Sequence, residues 1–167
     1  MLSISRYRIA IGVFLLLVIS EVFAGMFGFG RKYDVFLCPE VKGAITIDGK
    51  PVEGLTIMRE VIYDEAHVET VKTAEDGSFY FPSLSIRSST PGKAFDETRN
   101  RQVLVTEYEG EKYLLWLYAT DAIEEEPVIT EKLSKLECDL RDEERIYHFE
   151  IPDAPSFTHD IKSICKF

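Results

Sequence analysis

Val41-Lys42-Gly43-Ala44-Ile45-Thr46-Ile47-Asp48-Gly49-Lys50-Pro51-Val52-Glu53-Gly54-Leu55-Thr56-Ile57 is the stretch whose reading decides the fold class. In an extended chain Ile45 and Ile47 share one face and Thr46 and Asp48 the other, so residues 41–48 read as a half-buried strand. Asp48-Gly49, followed by Lys50-Pro51, stops that strand in a turn. Residues 55–62 resume the alternation, with Leu55, Ile57 and Val61 on one side. Residues 67–73 read as a third strand after the Asp64-Glu65-Ala66 break. A second punctuated stretch follows, Thr73-Ala74-Glu75-Asp76-Gly77-Ser78-Phe79-Tyr80-Phe81. Its Asp-Gly step signals a hairpin, and Phe79 and Phe81 point the same way out of the fourth strand, residues 78–81.

The rest of the chain extends this pattern. Residues 82–100 carry no period and read as a long loop. Residues 103–108 and 113–119 form a hairpin around Glu109-Gly110, and Leu114-Leu115-Trp116-Leu117-Tyr118, apolar on both faces, marks a central strand. Ile129, Leu133 and Leu136 recur at helical spacing, Thr130 is placed to cap, and Glu131 precedes Lys135 by four, so residues 129–138 read as a short helix. Tyr147, Phe149 and Ile151 alternate in a strand over residues 145–151, and residues 161–167 read as a last edge strand. This is a mainly β chain: a sandwich of about seven short antiparallel strands with one short helix. Its 167 residues, 46% apolar, suffice for one buried core.

The two quoted stretches together resemble transthyretin-like, carboxypeptidase regulatory-like domains. In those domains a strand leads into Gly-x-Pro-Val-x-Gly, here Gly49 to Gly54, and a later hairpin carries Asp-Gly-x-Phe-x-Phe, here Asp76 to Phe81. The resemblance covers residues 41–81 and implies an Ig-like or transthyretin-like β-sandwich used as an accessory module. With the long loop, the acidic helical segment and the cysteine-bearing tail, the whole resembles a small exported bacterial protein of unassigned activity. It carries over no catalytic residue. Hydroxyisourate hydrolases end in Tyr-Arg-Gly-Ser, whereas this chain ends in Ser163-Ile164-Cys165-Lys166-Phe167. Intradiol dioxygenases use a His-x-His pair, and here His148 and His159 lie far apart.

The N-terminus reads as a targeting segment. Arg6 and Arg8 precede an apolar run, and Val22-Phe23-Ala24 before Gly25 suits a signal peptidase, which gives a signal peptide over residues 1–24. The alternative is an uncleaved membrane anchor over residues 9–30, against which Glu21 counts. Residues 25–40 then form a linker and residues 41–167 the sandwich with its acidic C-terminal extension. Both readings place the body outside the cytoplasm, in the periplasm or secreted. Cys38, Cys138 and Cys165 suit an oxidising compartment, and a Cys138–Cys165 disulfide would staple the tail to the body, leaving Cys38 over.

A net charge of -10 argues against a nucleic-acid partner. Residues 121–144 hold ten acids and three bases, with Glu124, Glu125 and Glu126 as a candidate acidic surface. Arg87, Lys93, Arg99 and Arg101 make the long loop basic against Asp96 and Glu97, a candidate interaction loop. His67 and Glu69, two apart on a strand, share a face and are weak metal candidates; no cofactor is implied. His148 reads as surface, and His159 lies in a Pro-flanked loop. The leading expectation is a non-enzymatic exported β-sandwich that binds another protein in the cell envelope. The alternatives are an immunity protein against a periplasm-delivered toxin, a carbohydrate-binding module using Tyr63, Tyr80 or Trp116, and a metal-dependent hydrolase using His67, Glu69 and His159. Cell fractionation with mass spectrometry is expected to find the protein outside the cytoplasm, beginning at Gly25. Intact Met1 in a soluble cytosolic fraction overturns both export readings.

Overall fold

The computed structural model describes residues 31–93, 98–152 and 154–167. The signal or anchor read over residues 1–30, and the loop acids Asp96 and Glu97, lie outside the described residues. The described chain forms β1 (Tyr33–Cys38), β2 (Val41–Ile47), β3 (Lys50–Pro51), β4 (Thr56–Ile62), β5 (Ala66–Lys72), β6 (Ser78–Phe81), β7 (Leu84–Ser88), β8 (Asn100–Tyr108) and β9 (Glu111–Thr120). One helix, α1 (Pro127–Leu133), precedes β10 (Leu136–Asp139), β11 (Arg145–Glu150) and β12 (Thr158–Ser163). Residues 31–33 and 87–93 belong to a small compact unit, in which a 3-10 turn at Thr90–Gly92 is braced by Lys93 Nζ on Thr90 Oγ1 at 3.1 Å. Residues 34–86 and 98–167 belong to a second, larger unit, the main body.

The main body is a β-sandwich. Its larger sheet has the order β11-β12-β9-β8-β4-β5; its smaller one runs β10-β2-β3, with β6 also paired to β2. β1 and β7 form a separate two-stranded pair. Ile45, Phe79 and Phe81 from the smaller sheet and Ile57, Leu104, Trp116 and Ile161 from the larger one are buried in one core cluster. Gly43 is required by this packing. A Cβ there would lie 2.7 Å from the Phe79 ring and 2.8 Å from Leu136 Cβ, closer than carbon atoms approach.

The mainly β class and the central position of β9 agree with the sequence reading, but several elements differ. Among the described residues twelve strands form, several of them very short, where about seven were expected. β1 lies in the segment read as a linker, and β7 lies within the segment read as a loop. The helix ends at Leu133, and Cys138 sits on β10 instead, paired parallel to β2 with Cys138 opposite Ile45. A parallel neighbour departs from the all-antiparallel expectation; a parallel pair needs a long connection, and here everything from β3 to α1 lies between β2 and β10. Thr130 is not the cap: Glu126 holds the N-cap position, and Pro127, which has no N–H to satisfy, opens the helix. β12 is an interior strand between β11 and β9, not an edge. In β9, a register shift opposite Leu104 and Val105 places Leu115 and Trp116 both in the core, which simple alternation would forbid.

The tail closes the sandwich. After β12 the chain leaves the larger sheet, and Lys166 exchanges two backbone hydrogen bonds with Glu137 of β10, Lys166 N–H to the Glu137 carbonyl at 2.8 Å and Glu137 N–H to the Lys166 carbonyl at 3.0 Å. There Cys165 and Cys138 are disulfide-bonded, with Cα atoms 4.1 Å apart, and Cys38 is a free buried thiol. Phe167 then packs edge-on against Trp116 and Tyr147.

Asp139, at the end of β10, fixes the β2–β3 turn. Its carboxylate accepts from Gly49 N at 2.8 Å, Arg141 N at 2.9 Å, Thr46 Oγ1 at 3.0 Å and Asp48 N at 3.2 Å. Partial burial acts to raise its pKa, but these donors together outweigh burial and hold it below the usual value. A depressed carboxylate stabilises the fold above its unfolded pKa and loses that contribution as pH falls through the folded one. Asp139→Asn is expected to cost roughly 1–3 kcal/mol at neutral pH. In urea unfolding followed against pH, the gap between wild type and variant should close as pH falls below the ordinary aspartate range; a constant gap refutes the account.

Candidate functional site

The inward face of β9 continues past Trp116 to Tyr118, whose ring is 4% exposed. Its hydroxyl needs a polar partner, because an unpaired buried phenol is costly. Two segments distant in sequence supply partners. β12 contributes His159, 6% exposed, with Nδ1 2.7 Å from the Tyr118 oxygen. The lead-in to α1 contributes Glu126, whose Oε2 and Oε1 lie 3.0 and 3.1 Å from the same hydroxyl. Glu126 is free to turn inward because its side chain makes no capping hydrogen bond at the start of α1. Glu126 Oε1 is also 3.5 Å from His159 Nδ1 and 3.4 Å from Thr120 Oγ1.

The chemistry of the three groups assigns the protons. An ionised carboxylate only accepts, so the phenolic proton points to Glu126. The phenolic oxygen then accepts from Nδ1–H of His159, and in the neutral form of the ring this tautomer leaves the lone pair on Nε2. Burial, foremost, pushes the Tyr118 phenol far up, and the Glu126 charge adds to this, so the hydroxyl keeps its proton.

These residues line an open cleft of about 530 Å³, together with Arg99, Asp121, Ile151, Phe157 and Asp160. Phe157 is 68% exposed, the most exposed large apolar side chain among the described residues. Asp160 accepts from Thr158 Oγ1 at 2.7 Å and pairs with His148 Nδ1 at 2.7 Å. An imidazole held through Nδ1 with Nε2 open can accept a hydrogen bond or take up a proton.

The residues singled out from the sequence are dispersed. His67 and Glu69 sit on edge strand β5, and Glu69 is engaged by Arg59, with Nε at 3.0 Å. Among the described residues no three His, Cys, Asp or Glu side chains converge, so this pair lacks a third ligand. Arg87 lies on β7, Lys93 follows the 3-10 turn, and Arg101 lies on β8 bonded to Glu60 at 2.9 Å. Only Arg99 of the four lines the cleft. The acidic surface divides as well: Glu124 is exposed, Glu125 accepts from Thr130 Oγ1 at 2.8 Å, and Glu126 turns inward. His148 is exposed, as expected, whereas His159 is a buried strand residue rather than part of a loop. Trp116 and Tyr63 are buried and offer no platform; Tyr80 is exposed, with Lys42 Nζ 5.8 Å from its ring centroid.

Tyr118, Glu126 and the inward setting of His159 escaped the sequence reading. His159 shares the parity of Ile161 and Ser163 on β12, all three buried, and that alternation was the available signal. Long-range nitrogen NMR is expected to show His159 as the Nδ1–H tautomer, and Tyr118→Phe to mix the tautomers and cost about 1–3 kcal/mol. An Nε2–H ring in the wild-type protein contradicts the assignment.

Residues 41–143 match the family model described as "Domain of unknown function (DUF6795)". No curated protein and no solved structure matches the chain.

Proposed function

The chain belongs to the DUF6795 family, and from that premise we propose that it is an exported, non-enzymatic β-sandwich that docks a protein partner in the cell envelope through the Tyr118–His159–Glu126 cleft. The observation that carries this is the pairing of a preorganised floor with Phe157 at the cleft, 68% exposed. An exposed aromatic side chain beside a concave, polar-floored pocket has the composition of an interface anchor. The floor is fixed before any partner arrives, so little side-chain freedom is lost on binding. The Cys138–Cys165 bond and the apolar, Arg-led N-terminal segment support the extracytoplasmic placement.

A photo-crosslinking residue placed at Phe157 in the source cell tests the reading, with the same residue at Val68 on β5 as the control. The expected result is a discrete adduct from position 157 only, lost when Glu126→Gln is added in a protein that retains its melting temperature. The same adducts from both positions, or an adduct indifferent to Glu126→Gln, overturn it.

A further inference from the structure

We infer that what the cleft accepts from its partner is the guanidinium of an arginine side chain; this rests on the reading of the cleft as the docking site. The floor and walls are rich in acceptors and poor in donors. Among the described residues that line the cleft, Asp121, Glu126 and Asp160 stand against one basic side chain, Arg99, which is exposed. Asp160 already holds Thr158 and His148, and Glu126 already receives the Tyr118 proton. The groups left to a ligand are the Asp121 carboxylate, the remaining lone pairs of Glu126, and Nε2 of His159. The last belongs to a side chain more than nine-tenths buried, whose other nitrogen is committed to Tyr118.

A ligand that satisfies two carboxylates and an imine nitrogen must bring several donors, no acceptor and a positive charge. Guanidinium has five N–H donors in a plane and no acceptor. Its flat face also suits an exposed aromatic ring, and Phe157 presents one at the same cleft. An ammonium offers fewer donors in a geometry that cannot stack. The net charge of -10 favours approach of a basic segment over long range.

The test is an NMR titration of the purified protein with the blocked peptide acetyl-Gly-Arg-Gly-amide. Matched peptides carry lysine, citrulline or glutamate in place of arginine, and agmatine serves as a small-molecule probe. The arginine peptide is expected to shift the amides of Ala119, Thr120, Thr158 and His159. The citrulline peptide, equal in shape but uncharged, should bind about tenfold more weakly or worse. Asp121→Asn, at an exposed position with no role in the core, should weaken arginine binding and leave the melting temperature unchanged. Equal binding of the lysine, citrulline or glutamate peptide overturns the guanidinium assignment, as do shifts that map away from the cleft. Tighter binding of agmatine than of the peptide makes this a small-molecule site and overturns the partner assignment. If crosslinking at position 157 succeeds while the arginine peptide leaves the cleft amides unmoved, the arginine inference fails and the docking reading stands. If crosslinking fails, the docking reading fails, whatever the peptides do.

Discussion

A buried guanidinium holds the two layers in register. Arg59 is 1% exposed in the middle of β4, a position where its neighbours in alternation are Ile57 and Val61. Its Nη1 donates to the Pro82 carbonyl at 2.7 Å, just past β6 of the smaller sheet. Nε donates to Glu69 on β5 at 3.0 Å, Nη2 makes a second bond to the same carboxylate, and the guanidinium lies 4.9 Å from the Phe81 ring centroid. A charge in this setting is tolerated only while its partners stay in place; removing one strands it, at a cost of about 3–5 kcal/mol. The position of Pro82, the direction in which Glu69 points and the orientation of Phe81 are therefore coupled. The same environment explains the free thiol. Burial, slightly relieved by Arg59, raises the Cys38 pKa to about 11, so this cysteine stays protonated and unreactive in the folded chain.

The fold class was legible because the deciding segments obey local rules. β6 has the predicted bounds, and β2 and β4 begin or end within a residue of theirs. Each is bounded by a turn whose chemistry is visible: Gly49, Gly54 and Gly77 all have positive φ. What was not legible is non-local. β1 and β7 pair with each other across more than forty residues, and β10 is a strand because β2 lies beside it. Leu136 and Cys138 carry as much helical as extended periodicity, so only the tertiary pairing decides.

The site shows the same division more sharply. Arg59 stands at an inward position of a strand whose alternation was plain in the sequence, and that misplaced charge was the available signal of a buried partner. Glu69, read as a metal candidate with His67, is that partner. Tyr118 followed an apolar run and was absorbed into the core, while Glu126 was one acid among many. No spacing rule links residues 118, 126 and 159. They meet because β12 inserts between β9 and β11, and because Pro127 starts a helix that leaves the preceding side chain free.

The Cys138–Cys165 bond has a mechanical consequence. It closes a loop of sequence separation 27 that contains all of β11 and β12, and with them His159. Tension applied at Phe167 travels two residues along the chain, crosses the sulfur bridge and enters β10, which transmits it to β2 through the parallel ladder. Residues 139–164 carry none of it. A pull on the tail therefore loads the smaller sheet in shear, and the hairpin that presents His159 stays slack.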